Sequence, residues 1–189
     1  MNLLGLVSSF FRSGTPVVEN LFTVVLEQTR KPVFYRELAV PDCYDGRFDF
    51  LCLNAHLAAR RLQTVPGAEG KKLARTFIER LCIEFERASR NIGVSDVSVG
   101  KHVRRMSQGY YGRAEAYEAA IQEADNELLA QALKRNLYAK SEIEVSEFVL
   151  TKMCAYIVEA TKHLDQQSDQ DLITGQIDFP QPAEDVSSL

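Results

Sequence analysis

GVSDVSVGKHVRRMSQGYYGR, residues 93–113, carries both a helix exit and the start of a long two-faced helix. Gly93 stands where a chain leaves a helix in the left-handed conformation. Asp96 or Ser98 then offers a side-chain cap for a new helix. Val99, Val103, Met106 and Tyr110 follow at steps of three and four, so they share one helical face. Lys101, Arg104, Arg105 and Gln108 share the other, past Gly100 in the opening turns. One stripe is suited to a core and the other to solvent or a partner. Gly109 and Gly112 flank Tyr110 and Tyr111, where the helix is expected to bend or loosen.

The same period runs outward in both directions. Upstream, Leu73, Phe77, Leu81, Phe85 and Ala88 predict a helix over about 71–91, preceded by a loop at Thr64–Gly70 that holds Pro66. Asp42 is expected to cap another helix, with Asp45 as a weak capping-box partner. Phe48, Leu51, Ala55, Ala58, Ala59 and Leu62 line it, and Arg60 and Arg61 suit its negative pole. Thr15 and Pro16 open a helix that Pro32 stops. Downstream, residues 114–123 and 126–138 each read as helix. Ser141 and Glu144 match a capping box for a last long helix, whose wide apolar face through Val149, Met153, Tyr156, Ala160 and Leu164 predicts a central position. No stretch alternates as a strand does. The expectation is an all-α fold: one compact domain of about six or seven helices over residues 15–165. An apolar segment, 1–14, precedes it and an acidic flexible tail, 166–189, follows. Residues 165–189 hold six acids and no Lys or Arg, although Ile173, Ile177 and Phe179 could dock.

Charge is unevenly placed. The chain of 189 residues carries a net −4. Between residues 30 and 113, sixteen Lys and Arg face nine Asp and Glu, a net +7; from 114 onward the balance is −10. A basic middle suits RNA or an anionic membrane surface, and reads equally as a solvated mixed-charge exterior. Cys43, Cys52, Cys82 and Cys154 show no metal or redox spacing and read as reduced thiols. No apolar run is long enough to span a bilayer. Leu3, Leu4, Phe10 and Phe11 make a greasy start, either a weak membrane-surface anchor or a segment folded on the core. Without a basic leader, the chain reads as a bacterial cytoplasmic protein, with peripheral contact to the inner membrane as the exception.

Each candidate chemical site has a plainer reading. The glycines of GVSDVSVGK lack phosphate-loop spacing, and Lys101 precedes His102 rather than Ser or Thr. Asp42, Asp45 and Asp49 could gather magnesium, but carboxylates at a helix start cap and meet its positive pole. Cys52 and His56, four apart, could touch a metal or haem; a core Cys beside a partly buried His is the favoured reading. Arg47 opposes the helix dipole, so it is expected to pair with a carboxylate or cap the loop at Ser95–Ser98. Lys101, Arg104, Arg105, Tyr110, Tyr111 and Arg113 are the candidate partner-binding residues; the plainer reading keeps the tyrosines in the core. No catalytic residue, metal site or cofactor is expected.

Three segments carry a resemblance: RKPVFY (30–35), VPDCYDGRFDFL (40–51) and the VGK and YGR of the opening stretch. Over about residues 24–117 the chain resembles the ubiquinol–cytochrome c chaperone family, assembly factors of the respiratory ubiquinol–cytochrome c reductase. Asp42, Asp45, Gly46, Arg47, Phe48, Gly93, Asp96 and Gly100 are the structural residues of that likeness. The family tends to have Thr where Cys43 stands, and His where Asn54 stands. The resemblance implies a non-enzymatic chaperone that binds newly synthesised cytochrome b. Mitochondrial members act with a small partner protein and meet the ribosome near its exit tunnel; a homo-oligomer is the alternative here. Two rivals of other classes remain: an RNA- or ribosome-associated binding protein using the basic middle, and a magnesium-dependent helical enzyme using the aspartates near Asp45.

Overall fold

The computed structural model describes residues 15–141 and 144–182. Eight helices form among them: α1 (Pro16–Thr29), α2 (Pro32–Arg36), α3 (Tyr44–Thr64), α4 (Gly67–Asn91), α5 (Asp96–Glu123), α6 (Asn126–Arg135), α7 (Glu147–Gln166) and α8 (Asp169–Ile173). No strand occurs among the described residues. The all-α expectation holds; the apolar segment 1–14 lies outside the described residues.

Helix α3 is the central one, packed on α1, α4, α5 and α7. Every residue from Asp49 to Ala59 is buried, three turns with no solvent face. The sequence pattern pointed to α7 for that place. Small side chains decide otherwise: Ala55, Ala58 and Ala59 let neighbours approach α3 closely, while the buried Asn54 is hydrogen-bonded on both sides of its amide. Tyr156 donates to Asn54 Oδ1 at 3.1 Å, Gln28 donates to the Tyr156 hydroxyl at 2.8 Å, and Asn54 donates to the Phe50 carbonyl at 2.9 Å. A polar chain thus crosses the core with its groups paired, as burial demands. Phe34 sits beside it, 4.6 Å from the Phe50 ring and 4.8 Å from that of Tyr156.

Several boundaries differ from expectation, each for a local reason. Helix α4 begins at Gly67, so only Val65 and Pro66 separate it from α3. Gly70 fits against the Val65 carbonyl, which a Cβ would meet at 2.4 Å. Helix α5 runs unbroken through Gly109 and Gly112 to Glu123, and ends where Ala124 turns left-handed at φ 52°. Asp125 then caps α6, accepting from the amides of Glu127 and Leu128. Ser146, not Ser141, caps α7; its hydroxyl accepts from the Val149 amide at 3.3 Å.

The chain after Leu164 is the largest correction. Residues 166–182 are not a free tail. Leu172, Ile177 and Phe179 are buried, and burying three large apolar side chains outweighs the acidic composition. The buried Arg61 donates to the Leu164 carbonyl at 2.9 Å, to that of Gln167 at 2.6 Å, and to Asp169 at 2.7 Å. Gln28 donates to the Pro180 carbonyl at 3.1 Å, and Gly175 packs against Val17. The domain therefore reaches at least residue 182; residues 183–189 lie outside the described residues.

Candidate functional site

The start of α3 and the length of α5 meet in one junction, built from the DGRF and YGR segments. Cys43 is the N-cap of α3; its thiol accepts from the Gly46 amide at 3.4 Å, a weak version of a hydroxyl cap. Asp42 is thus not the cap. It accepts from Arg47 Nε at 2.6 Å, and the Arg47 guanidinium lies 5.4 Å from the centre of the Tyr35 ring. Arg47 finds its carboxylate, but not the Ser95–Ser98 loop, where Asp96 pairs with Arg90 instead. Asp45 pairs with Lys140. Gly46 packs on Pro41, and a Cβ there would stand 2.1 Å from the Pro41 carbonyl oxygen.

Asp49 closes the junction. Its carboxylate is 2.7 Å from Arg113 on α5 and almost wholly buried. Burial pushes its pKa up to about 6, against the opposing pull of Arg113. The Arg113 guanidinium also lies 5.5 Å from the Phe48 ring centre and donates to the Gly109 carbonyl at 3.0 Å. A Cβ on Gly109 would meet that guanidinium at 2.8 Å, so this glycine makes room for Arg113. The three aspartates are accordingly three ion pairs, not one acidic cluster. Among the described residues no group of three or more His, Cys, Asp and Glu could hold a metal.

The candidate partner-binding residues divide. Tyr110 is buried, its hydroxyl pKa raised by burial, and it joins the core with Met106. Arg113 turns inward to Asp49. Lys101, Arg104, Arg105 and Tyr111 remain exposed on the outer side of α5. Gly93 leaves α4 at φ +84°, as expected, but nothing in the structure requires glycine at position 100.

Two arrangements escaped the sequence reading. His56 Nε2 lies 3.1 Å from Glu118, which also meets Arg60 at 3.5 Å; Arg60 reaches Asp165 at 2.8 Å. His56 lowers the Glu118 pKa, while burial drives the Cys52 thiol well up, so the Cys52–His56 spacing serves packing and pairing. The second is an apolar groove of about 720 Å³ where the end of α5 meets α6 and α7. Ile121, Ala124, Leu129, Leu150, Ala155 and Val158 line it, with Glu147, Glu159 and Lys162 among its polar lining. No one segment of sequence holds enough of these residues to reveal it.

Comparison with known proteins agrees with this architecture. The chain matches the family described as Ubiquinol-cytochrome C chaperone over residues 36–179. It is 23% identical over 158 residues to the ubiquinol-cytochrome-c reductase complex assembly factor 1 of Xenopus laevis, covering 83% of this chain and 77% of that protein. Identity to the Mus musculus protein of the same description is also 23%, and the match spans about half, 52%, of its length. The crystal structure of the Cbp3 homolog from Brucella abortus superposes with a TM-score of 0.79 at 26% identity, covering 95% of this chain and 97% of that one. The matched span runs from Arg36 at the end of α2 to the buried Phe179, taking in both the α3–α5 junction and the closing segment. With three quarters of its length inside that match, this chain belongs to the ubiquinol–cytochrome c chaperone family.

Proposed function

We propose that the chain is an assembly chaperone for the ubiquinol–cytochrome c reductase, acting by binding rather than catalysis, and that its client is newly synthesised cytochrome b. The observation that carries this reading is the α5–α6–α7 groove. A client rich in apolar helices needs an apolar trough to lie in before its own partners arrive, and helix-in-groove recognition is the mode such a trough suits. The magnesium-dependent alternative is weakened, because Asp42, Asp45 and Asp49 are each held by a cation of the same chain.

A photo-crosslinking residue at Ala155, in the groove, and another at Tyr111, on the outer side of α5, would test this in cells induced to make cytochrome b. Capture of cytochrome b from Ala155 supports the groove as the client site. Capture from Tyr111 alone keeps the client and moves it to α5. No capture from either, with normal reductase assembly after gene deletion, overturns the reading.

A further inference from the structure

Five side chains stand in one line on the solvent face of α5. Val97, Lys101, Arg104, Gln108 and Tyr111 are spaced four, three, four and three, and all are exposed. The line is about 21 Å long at 1.5 Å per residue. Val97 is 97% exposed and Tyr111 59%, so an apolar and an aromatic group stand at its two ends with cations between. Arg105 lies beside them. None of Lys101, Arg104 and Arg105 has an ion-pair partner among the described residues. The adjacent acids are accounted for: Asp96 is held by Arg90, which also takes Glu86; Asp45 and Asp49, which share a pocket with Arg105, are held by Lys140 and Arg113; and Glu115 bounds the line one turn beyond Tyr111. Ile92, 52% exposed, and Val94 form the apolar wall of an open groove of about 760 Å³ whose opposite wall carries the three cations.

The chemistry of this face favours one occupant. Single strands of nucleic acid are held by aromatic side chains on which bases stack. Here a single aromatic, Tyr111, stands at one end of the line, and the apolar groups beside the cations are the aliphatic Ile92, Val94 and Val97, which offer no stacking platform for successive bases. Those aliphatic groups gain from hydrocarbon, while unpaired Lys and Arg gain from phosphate headgroups and a tyrosine settles at the interface between the two. We propose that the turn at 92–97 and the outer face of α5 dock on an anionic phospholipid bilayer, with Ile92 and Val97 entering the acyl boundary and Lys101, Arg104 and Arg105 on the headgroups. No helix among the described residues is long and apolar enough to cross a membrane, so this contact is peripheral.

Each cation contributes about fivefold to partitioning onto an anionic surface, so three contribute roughly a hundredfold. The test is sedimentation of the purified full chain with vesicles of phosphatidylglycerol and phosphatidylcholine, against phosphatidylcholine alone, at 0.1 M and 0.5 M salt. Binding to the anionic vesicles is expected, with loss at high salt. The double variant Lys101→Gln/Arg104→Gln should bind about 25-fold more weakly, and Val97→Asp should also bind more weakly, with unchanged thermal melts because all three side chains are exposed. Equal binding by the variants would overturn the proposal and leave residues 1–14 as the membrane contact. So would absence of binding, or displacement by homopolymeric RNA with Val97→Asp indifferent, which would assign the face to RNA.

Discussion

Replacing Gly46 by alanine sets helix preference against contact, and the two give opposite signs. In a helix interior alanine is more favourable than glycine by about 1 kcal/mol. Were α3 governed by preference alone, the variant would melt higher. But a Cβ at position 46 would stand 2.1 Å from the Pro41 carbonyl oxygen and 2.7 Å from its Cβ. Neither atom belongs to a flexible side chain that can swing aside. Overpacking costs up to about 3 kcal/mol, and a clash with backbone belongs at that end. The net loss is therefore about 2 kcal/mol, after about 1 kcal/mol of helix preference is returned. For a domain of this size that lowers the melting temperature by roughly 4–8 °C. Gly112→Ala is the matched control, since nothing lies within 4 Å of a Cβ there and φ is ordinary; it should raise the melt by roughly 2–4 °C. Thermal melts by circular dichroism read both. A Gly46→Ala protein as stable as its parent would refute the contact argument.

Three further outcomes follow from the geometry. Asp49 has its folded-state pKa raised to about 6, so the proton is held more tightly folded than unfolded; its contribution to stability is full below its ordinary range and is lost as pH rises through 6. Melts of the parent and Asp49→Asn at pH 7 and 4.5 should show their difference moving in the parent's favour as pH falls, and the reverse would mean that Arg113 outweighs burial. Arg61→Met leaves the Leu164 and Gln167 carbonyls short of a donor, a loss of about 2–3 kcal/mol; limited proteolysis should then cut within 166–182 before the rest of the domain, and simultaneous cleavage would count against a separately fastened segment. With a thiol reagent at pH 8, the exposed Cys43 should react first, while Cys52 and Cys154, buried and with raised thiol pKa values, resist until the domain unfolds; early loss of Cys52 would contradict its burial.

How much was legible depended on how local each signal was. The stripe Val99–Met106–Tyr110 and the exit at Gly93 are properties of adjacent residues, and both are as read. Tyr110 and Arg113 were ambiguous because a helix face is shared by what looks outward and what turns inward; only the position of Asp49 on another helix decides it. Helix α3 was undervalued because alanines and the paired Asn54 and His56 look polar or weak in a hydropathy pattern, whereas closeness of approach is what they provide. The 166–182 segment was misjudged for the opposite reason: charge dominates its composition, but three side chains at Leu172, Ile177 and Phe179 govern its energy. The α5–α6–α7 groove could not be read at all, since its walls come from residues spread from Ala120 to Lys162 on three helices.

Gln28 and Pro180, hydrogen-bonded to each other, are 152 positions apart in the chain. During synthesis α1 can meet α3 and α4 early, but the part of it that Gly175 and Pro180 cover stays open until residues 172–180 have left the ribosome. The central helix has its neighbours by then, and the segment that covers α1 follows them. A chain in which residues 172–180 have not yet emerged therefore carries an open apolar seam beside α1, where Leu172, Ile177 and Phe179 are later buried.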